Sequence, residues 1–209
     1  MENFNRKEHW EKIYQTKQLN EVSWFQPTPE TSLNFLQEFH IPLDAKIIDI
    51  GGGDSLLVDN LLALGYHNIT VLDISVSALN RAKLRLGEKA TSVKWIEADA
   101  SNFEPQEKYD FWHDRAAFHF LTNANEIEQY LQTVQQNINP NGILVMGTFS
   151  EQGPTKCSGI NIKQYSEHSL TSLLKKFFEK IKCITVDHIT PFETIQQFVF
   201  CSFRKPRVS

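Results

Sequence analysis

Three aspartates, each close behind a short apolar run, and a cluster of glycines beside the first carry the chemistry legible in this 209-residue chain. Asp49 stands in KIIDI and is followed by Gly51, Gly52 and Gly53; Asp73 closes ITVLD; Asp99 follows VKWIEA. A glycine has no Cβ, so Gly51 and Gly53 let a ligand lie directly on the main chain. Asp73, with Ile74 beside it, stands about 20 residues beyond the glycines, the distance at which an acid reaches ribose hydroxyls in nucleotide-binding folds. Asp99 and Ala100 are placed to meet an adenine edge. Asp49, beneath the glycine loop, is a poor neighbour for a pyrophosphate and a good one for an ammonium group. Any one of these acids alone reads as an N-cap of the next helix. Three in register beside one loop point instead to a ligand that carries an adenosine and a cation.

The elements that must hold these residues alternate. KIIDI, NITVLDIS, SVKWIEAD, YDFWHDR and GILVMGTF have the short apolar runs of strands. Residues 56–64, SALNRAKLRLG and NEIEQYLQTVQQNI have the apolar spacing of helices, the second stopping at Gly87 and the third before a turn at NPNG. Strand and helix in alternation imply βαβ units and a parallel sheet covered on both faces, with right-handed crossovers. After the helix pattern SLTSLLKKFF, the runs KIKCITVDHIT and TIQQFVFCSFRK are separated only by PFE. That link is too short for a crossover, so these two strands pair antiparallel. The expected fold is α/β: a doubly wound, seven-stranded, mostly parallel sheet with an antiparallel C-terminal hairpin. It forms one domain, with a Rossmann-like core over 46–203 and an N-terminal helical lid over 1–40.

Bulk properties exclude several classes. Net charge is -4 and the estimated pI about 6.0, without the basic excess of a nucleic-acid binder. No stretch approaches the roughly 18 apolar residues of a membrane span, and the polar N-terminus is no signal peptide. Cys157, Cys183 and Cys201 suggest neither a disulfide framework nor a zinc spacing, and no metal is expected. A reducing cytoplasm is the default compartment, and the oligomeric state is open.

Leu56 occupies the third glycine position of G-x-G-x-x-G, which weakens a dinucleotide reading. S-adenosylmethionine carries both the adenosine and the cation. With DIGGGDS, VLDIS, EADAS and YDFWHDR in order, the chain resembles the class I S-adenosylmethionine-dependent methyltransferases over residues 46–203. Its N-terminal segment HWEKIYQTKQLNEVSWFQP is similar to that of the elongation-factor and citrate-synthase lysine methyltransferases, in which a Trp and a Tyr pack on the cofactor. Here these are Trp10 and Tyr14, four residues apart and so on one helix face. Val22 stands where that group has a tyrosine and Arg115 where it has a lysine. The loop EQGPTKCSGINIKQY resembles a GP-x-x-CSG loop of bacterial methyltransferases that also carry HDRAAFHFL.

The resemblance implies a cofactor site made by Trp10, Tyr14, Asp49, Gly51, Gly53, Asp73, Ile74, Asp99, Ala100, Asp114 and Arg115. It also implies a methyl acceptor, either a small molecule or a protein side chain, approached beside the loop from Gly153 to Tyr165. Transfer needs alignment more than acid–base power. Candidates for a base or for holding the acceptor are His113, Asp114, Arg115, His119 and Tyr165. Each histidine also reads as a structural residue, and Arg115 as either a carboxylate clamp or a salt-bridge partner. An NAD-dependent oxidoreductase and a non-catalytic cofactor-binding module are the alternatives from other classes.

Overall fold

The computed structural model describes residues 4–207, so the first three residues of the expected lid and the last two of the chain lie outside it. Two helices open the chain, α1 (Arg6–Thr16) and α2 (Glu30–Glu38). The alternating core follows as β1 (Ile47–Ile50), α3 (Leu57–Ala63), β2 (Ile69–Asp73), α4 (Val76–Leu86), β3 (Val93–Glu97), β4 (Tyr109–Arg115), α5 (Ala124–Asn137) and β5 (Ile138–Phe149). A small hairpin, β6 (Lys156–Cys157) and β7 (Ile160–Asn161), precedes α6 (Glu167–Leu174) and the long hairpin β8 (Glu179–Ile189) and β9 (Ile195–Arg204). The main sheet runs β3-β2-β1-β4-β5-β9-β8. Its first five strands are parallel; β9 is antiparallel to both β5 and β8.

The pleat sorts side chains between two cores, because neighbours along a strand face opposite ways. Ile48, Ile50, Trp112, Leu144 and Met146 pack with Tyr130 of α5 and Leu170 of α6. Ile47, Phe111 and Val145 pack on the other face with Leu33 of α2, Leu57 and Leu61 of α3 and Leu79 of α4. In register, Asp49 lies beside His113 and Ile50 beside Asp114. Asp49, His113 and Arg115 therefore share the α2–α4 face, and Asp114 looks toward α5.

Two expectations need correction. NPNG does not stand ahead of β5 as a separate turn. α5 passes straight into β5, and the segment is absorbed as an irregularity with Asn141 at φ 63° and a register shift opposite Tyr109 and Phe111. Cys183 and Cys201 are not isolated thiols but form a disulfide across the hairpin, where register sets them directly opposite each other. Eighteen residues of separation conceal that pairing, since it depends on where the chain turns.

Gly147 lets β5 and β9 approach closely: a Cβ there would lie 2.3 Å from Cε1 of Phe200. Gly147→Ala is expected to destabilise the fold by about 1–3 kcal/mol, the usual cost of overpacking a closed core. Urea denaturation read by tryptophan fluorescence measures it.

Candidate active site

The carboxyl ends of β1, β2 and β4, with the turn after β3, open into one cavity lined by the glycine loop, Asp73, Ile74, Asp99 and Ala100 on one side and His113 and Arg115 on the other. The loop is held at close quarters by the acids around it. A Cβ on Gly52 would meet Oδ2 of Asp49 at 2.5 Å, and one on Gly53 would meet Oδ2 of Asp73 at 2.6 Å. Gly53 also has φ +38°, a conformation that costs other residues energy. Sequence spacing pointed to Gly51 and Gly53; the need for glycine at position 52 comes from its contacts with Asp49 and Val71.

Asp73 is buried, and Oδ1 accepts a hydrogen bond from the Ser75 amide at 2.8 Å. Burial pushes its carboxyl up to about 7, against the pull of that amide bond, and the charge of Asp49 adds to the rise. The Tyr14 hydroxyl sits by the same Gly53 position, 3.2 Å from where a Cβ would be. Its own ionisation is pushed well above the ordinary tyrosine range by burial and by Asp73.

The N-terminal segment roofs the cavity. Trp10 packs edge-on against Trp24 and Phe120, with ring centroids 5.8 and 5.0 Å apart, and Tyr14 lies against Trp24 at 6.2 Å. Polar contacts dock α1. Glu11 accepts from the Val76 and Ser77 amides at the start of α4, where a helix N-terminus favours a carboxylate. Arg81 donates to the carbonyls of Tyr14 and Lys17. Arg6 donates to both oxygens of Asp99 at 3.0 and 2.8 Å and bridges to Glu126 at 2.8 Å. Asp99 thus lines the cavity but is engaged by Arg6 and by the amide and hydroxyl of Ser101. Asp54, which also lines the cavity beside the glycine loop, is held by Arg81 and Arg85.

Beyond β1 and β4 the wall changes character. Oδ1 of Asp49 lies 2.7 Å from Nδ1 of His113, and Nε2 of His113 lies 2.8 Å from Oγ of Ser32. Arg115 donates from Nη1 to the Trp24 carbonyl at 3.1 Å, and its guanidinium stands 5.1 Å over the Phe198 ring. Its Nη2 is shielded and without a partner among the described residues, and burial lowers the guanidinium to about 10, so it remains a cation at neutral pH. Oε1 of Gln196, on the same cavity, is likewise buried and unpaired. Cys157 contributes a thiol that burial raises to about 11, which keeps it protonated.

Three of the expected residues are placed elsewhere. Asp114 points into the α5 face, where its oxygens accept from the Ala117 and Phe118 amides and the Tyr130 hydroxyl. Its side chain fixes the turn after β4 and does not reach the cavity wall. His119 accepts the Phe149 amide on Nδ1 at 3.2 Å, and burial together with the charge of Arg115 lowers it to about 3, too weak for a base at neutral pH. Tyr165 is stacked on Phe118 in the core, 5.2 Å between centroids. Ser32, Gln196 and Phe198 had no sequence signal. Nothing local marks a helix serine or a strand glutamine as facing a site.

A dinucleotide-binding sheet of this class runs 3-2-1-4-5-6 and is mostly parallel, with no seventh strand between the fifth and sixth. Here an antiparallel strand is inserted between β5 and β8, which argues against the oxidoreductase alternative. Residues 48–144 match a family model described as a methyltransferase domain. Over that stretch the chain is similar to the class I S-adenosylmethionine-dependent methyltransferases. Among similar curated proteins is a ubiquinone biosynthesis O-methyltransferase of Rickettsia canadensis, 22% identical over 57% of this chain and 49% of that one. Another is the human EEF1A lysine methyltransferase 2, 30% identical over 35% of this chain and 34% of that one. The matched parts span between a third and a half of those proteins. The fold is shared with the N-methyltransferase NodS of Bradyrhizobium japonicum in complex with S-adenosyl-L-homocysteine, with a TM-score of 0.73 at 16% identity, covering 97% of this chain and all of that one.

The cofactor of this family is S-adenosylmethionine, and the cavity suits it. Asp73 presents a carboxylate oxygen beside a glycine backbone, where a ribose diol can donate to it. Oδ2 of Asp49 faces the loop at Gly52 for an ammonium group, and Ile74 and Ala100 offer apolar edges to an adenine. No group of histidine, cysteine or acidic side chains suited to a metal exists among the described residues, and none of their helices is long and apolar enough to cross a membrane.

The Asp73 carboxyl takes up a proton as pH falls through about 7, and a diol donates to the ionised form. Affinity for S-adenosylhomocysteine is therefore expected to be level above pH 7 and to fall below it. Asp73→Asn, which cannot titrate, is expected to flatten that profile and to lose about 1.5–3 kcal/mol of affinity at pH 8. Isothermal calorimetry across pH 5.5–8.5 tests both.

Proposed function

We propose that this protein transfers the methyl group of S-adenosylmethionine to a small anionic acceptor held against Arg115. The observation that carries this reading is the guanidinium itself. It is a shielded cation with a free donor edge and no salt-bridge partner among the described residues, on the wall of the cavity that Asp73 also lines. Leaving such a charge without a counter-ion is costly unless a ligand supplies one. Arginine offers a planar fork that matches a carboxylate or a phosphate.

The cofactor supplies an electrophilic methyl when bound; the protein supplies position. Asp73 and the glycine loop hold the adenosine end, and Oδ2 of Asp49 anchors the amino-acid end. Arg115, with Gln196 as an acceptor beside it, orients the second substrate. The Phe198 and Trp24 rings flank it. Holding both partners in a near-attack geometry accounts for several kcal/mol of such a reaction. The roof of Trp10, Tyr14, Trp24 and Phe120 limits the space to a compact acceptor, which favours a small molecule over a side chain on a folded protein. We assign α1 and its following turn as a lid that admits the cofactor by releasing the Arg6–Asp99 and Glu11–α4 contacts.

Two measurements test this. Radiolabelled methyl groups from S-adenosylmethionine, offered to a cell extract, are expected in the small-molecule fraction. Arg115→Gln is expected to lower that incorporation about tenfold to a hundredfold, the scale of a charged hydrogen bond, with S-adenosylhomocysteine affinity changed only a few-fold. Label in protein, or a loss of cofactor affinity that matches the loss of turnover, would move Arg115 to the cofactor or the acceptor to another class. Hydrogen exchange tests the lid: amides of residues 5–25 are expected to slow when S-adenosylhomocysteine is added, and equal exchange would make α1 a fixed part of the domain.

A further inference from the structure

The three side chains Asp49, His113 and Ser32 come from β1, β4 and α2, are each no more than 4% exposed, and all border the cavity. Their order has a direction. An ionised carboxylate only accepts hydrogen bonds, so Nδ1 of a neutral His113 carries the proton and donates to Asp49. Nε2 is then an acceptor, and the Ser32 hydroxyl, 2.8 Å away, must donate to it. Ser32 makes no other side-chain hydrogen bond among the described residues. Its oxygen therefore stands at the cavity wall with its proton already directed at a base. A buried aspartate could be satisfied by one amide or hydroxyl. An acid, an imidazole and a hydroxyl in sequence, ending at a substrate cavity, is the arrangement that activates a protonated group.

We propose that Ser32, His113 and Asp49 form a proton relay and that the acceptor's reacting group is a hydroxyl, so that the methyl is placed on oxygen. This rests on the methyltransferase reading above and names the nucleophile that reading leaves open. An amine has its lone pair available once it has lost a proton to water, and a carboxylate needs no base. An alcohol or phenol has a proton to lose as it attacks. The acceptor O–H bond breaks and its proton passes to Oγ of Ser32 while the serine's own proton passes to Nε2 of His113. The acceptor oxygen forms the new bond to the methyl carbon as the carbon–sulfur bond breaks, both electrons remaining on sulfur, so that neutral S-adenosylhomocysteine is left. The imidazolium on His113, held against Asp49, returns its proton to water after release. Ser32 is the member placed to touch the acceptor; His113 and Asp49 act through it.

Thiol chemistry tests the relay without knowledge of the acceptor. In Ser32→Cys the introduced thiol is expected to be ionised by His113, and iodoacetamide at pH 7 is expected to alkylate it at least tenfold faster than in Ser32→Cys combined with His113→Asn. Peptide mapping separates it from Cys157. Equal rates, or no alkylation of the introduced thiol in either protein, would show that the relay is inert or closed to the cavity and would overturn the proposal. In the extract assay, Ser32→Ala is expected to lower methyl incorporation by about 10²–10⁴-fold, the usual range for a general base, with S-adenosylhomocysteine affinity within threefold of the parent. The labelled product is expected to carry its methyl on oxygen. Full incorporation by Ser32→Ala, or a methylated amine or thiol as product, would remove the relay and leave the methyltransferase reading intact. Failure of the unaltered protein to label any small molecule, with rapid alkylation in the thiol test, would instead remove that reading and keep the activated serine.

Discussion

The register of β1 against β4 is the constraint on which the rest of the site depends. These strands lie at the centre of the parallel sheet and set Asp49 opposite His113 and Ile50 opposite Asp114. A slip of one residue would exchange the two faces. Asp49, His113 and Arg115 would then face the α5 core, and Asp114 would lose the hydrogen bonds of the Tyr130 hydroxyl and the two amides. Apolar neighbours lock the register from both sides. Ile48 and Trp112 belong to one core, and Ile47 and Phe111 to the other.

Within that frame the site is a problem of buried charge. Asp49, Asp73 and Arg115 are drawn out of water around one cavity, and each is compensated differently. Asp49 has the imidazole of His113. Asp73 has backbone donors of the following turn, Ser75 foremost, and a carboxyl raised to about 7 by burial. Arg115 has one carbonyl and an aromatic face. The two groups least satisfied within the protein, Asp73 and Arg115, are those assigned to ligands. Incomplete internal satisfaction is what lets a bound molecule gain from the contact, because a donor or acceptor already shielded from water has less hydration to lose.

The N-terminal segment contributes in the same way. α1 adds no strand to the sheet, yet its residues reach two of the strand-end acids and the start of α4: Tyr14 stands near Asp73, Arg6 grips Asp99, and Glu11 caps α4. The pairs at the rim, Arg6–Asp99 and Lys7–Glu97, are partly exposed, and such pairs contribute little each. A roof held by several weak contacts and one aromatic cluster is suited to closing over a ligand and opening again. At the far edge, the β8–β9 hairpin supplies Gln196 and Phe198 to the wall of the cavity that Arg115 lines, so the antiparallel strands finish the pocket as well as the sheet.

Much of this was legible in the chain because it is local. Period-two and period-3.6 patterns placed the strands and helices, Gly87 marked the end of α4, and the three-residue link PFE before TIQQFVF required a hairpin. The acids at the strand ends and the glycines beside Asp49 announced a nucleoside site, since strand ends in such sheets converge on one side. Even the separation of Asp114 from His113 and Arg115 follows from pleat parity, although types alone had grouped all three. Only the tertiary structure brought Ser32 to His113 across 81 residues and Arg6 to Asp99 across 93. It also set Cys183 opposite Cys201 and turned His119 and Tyr165 into the core. Those outcomes depend on how α2 and α1 dock and on where the long hairpin turns. Docking is fixed by the fit of whole apolar faces, so the spacing of a few polar residues does not disclose it.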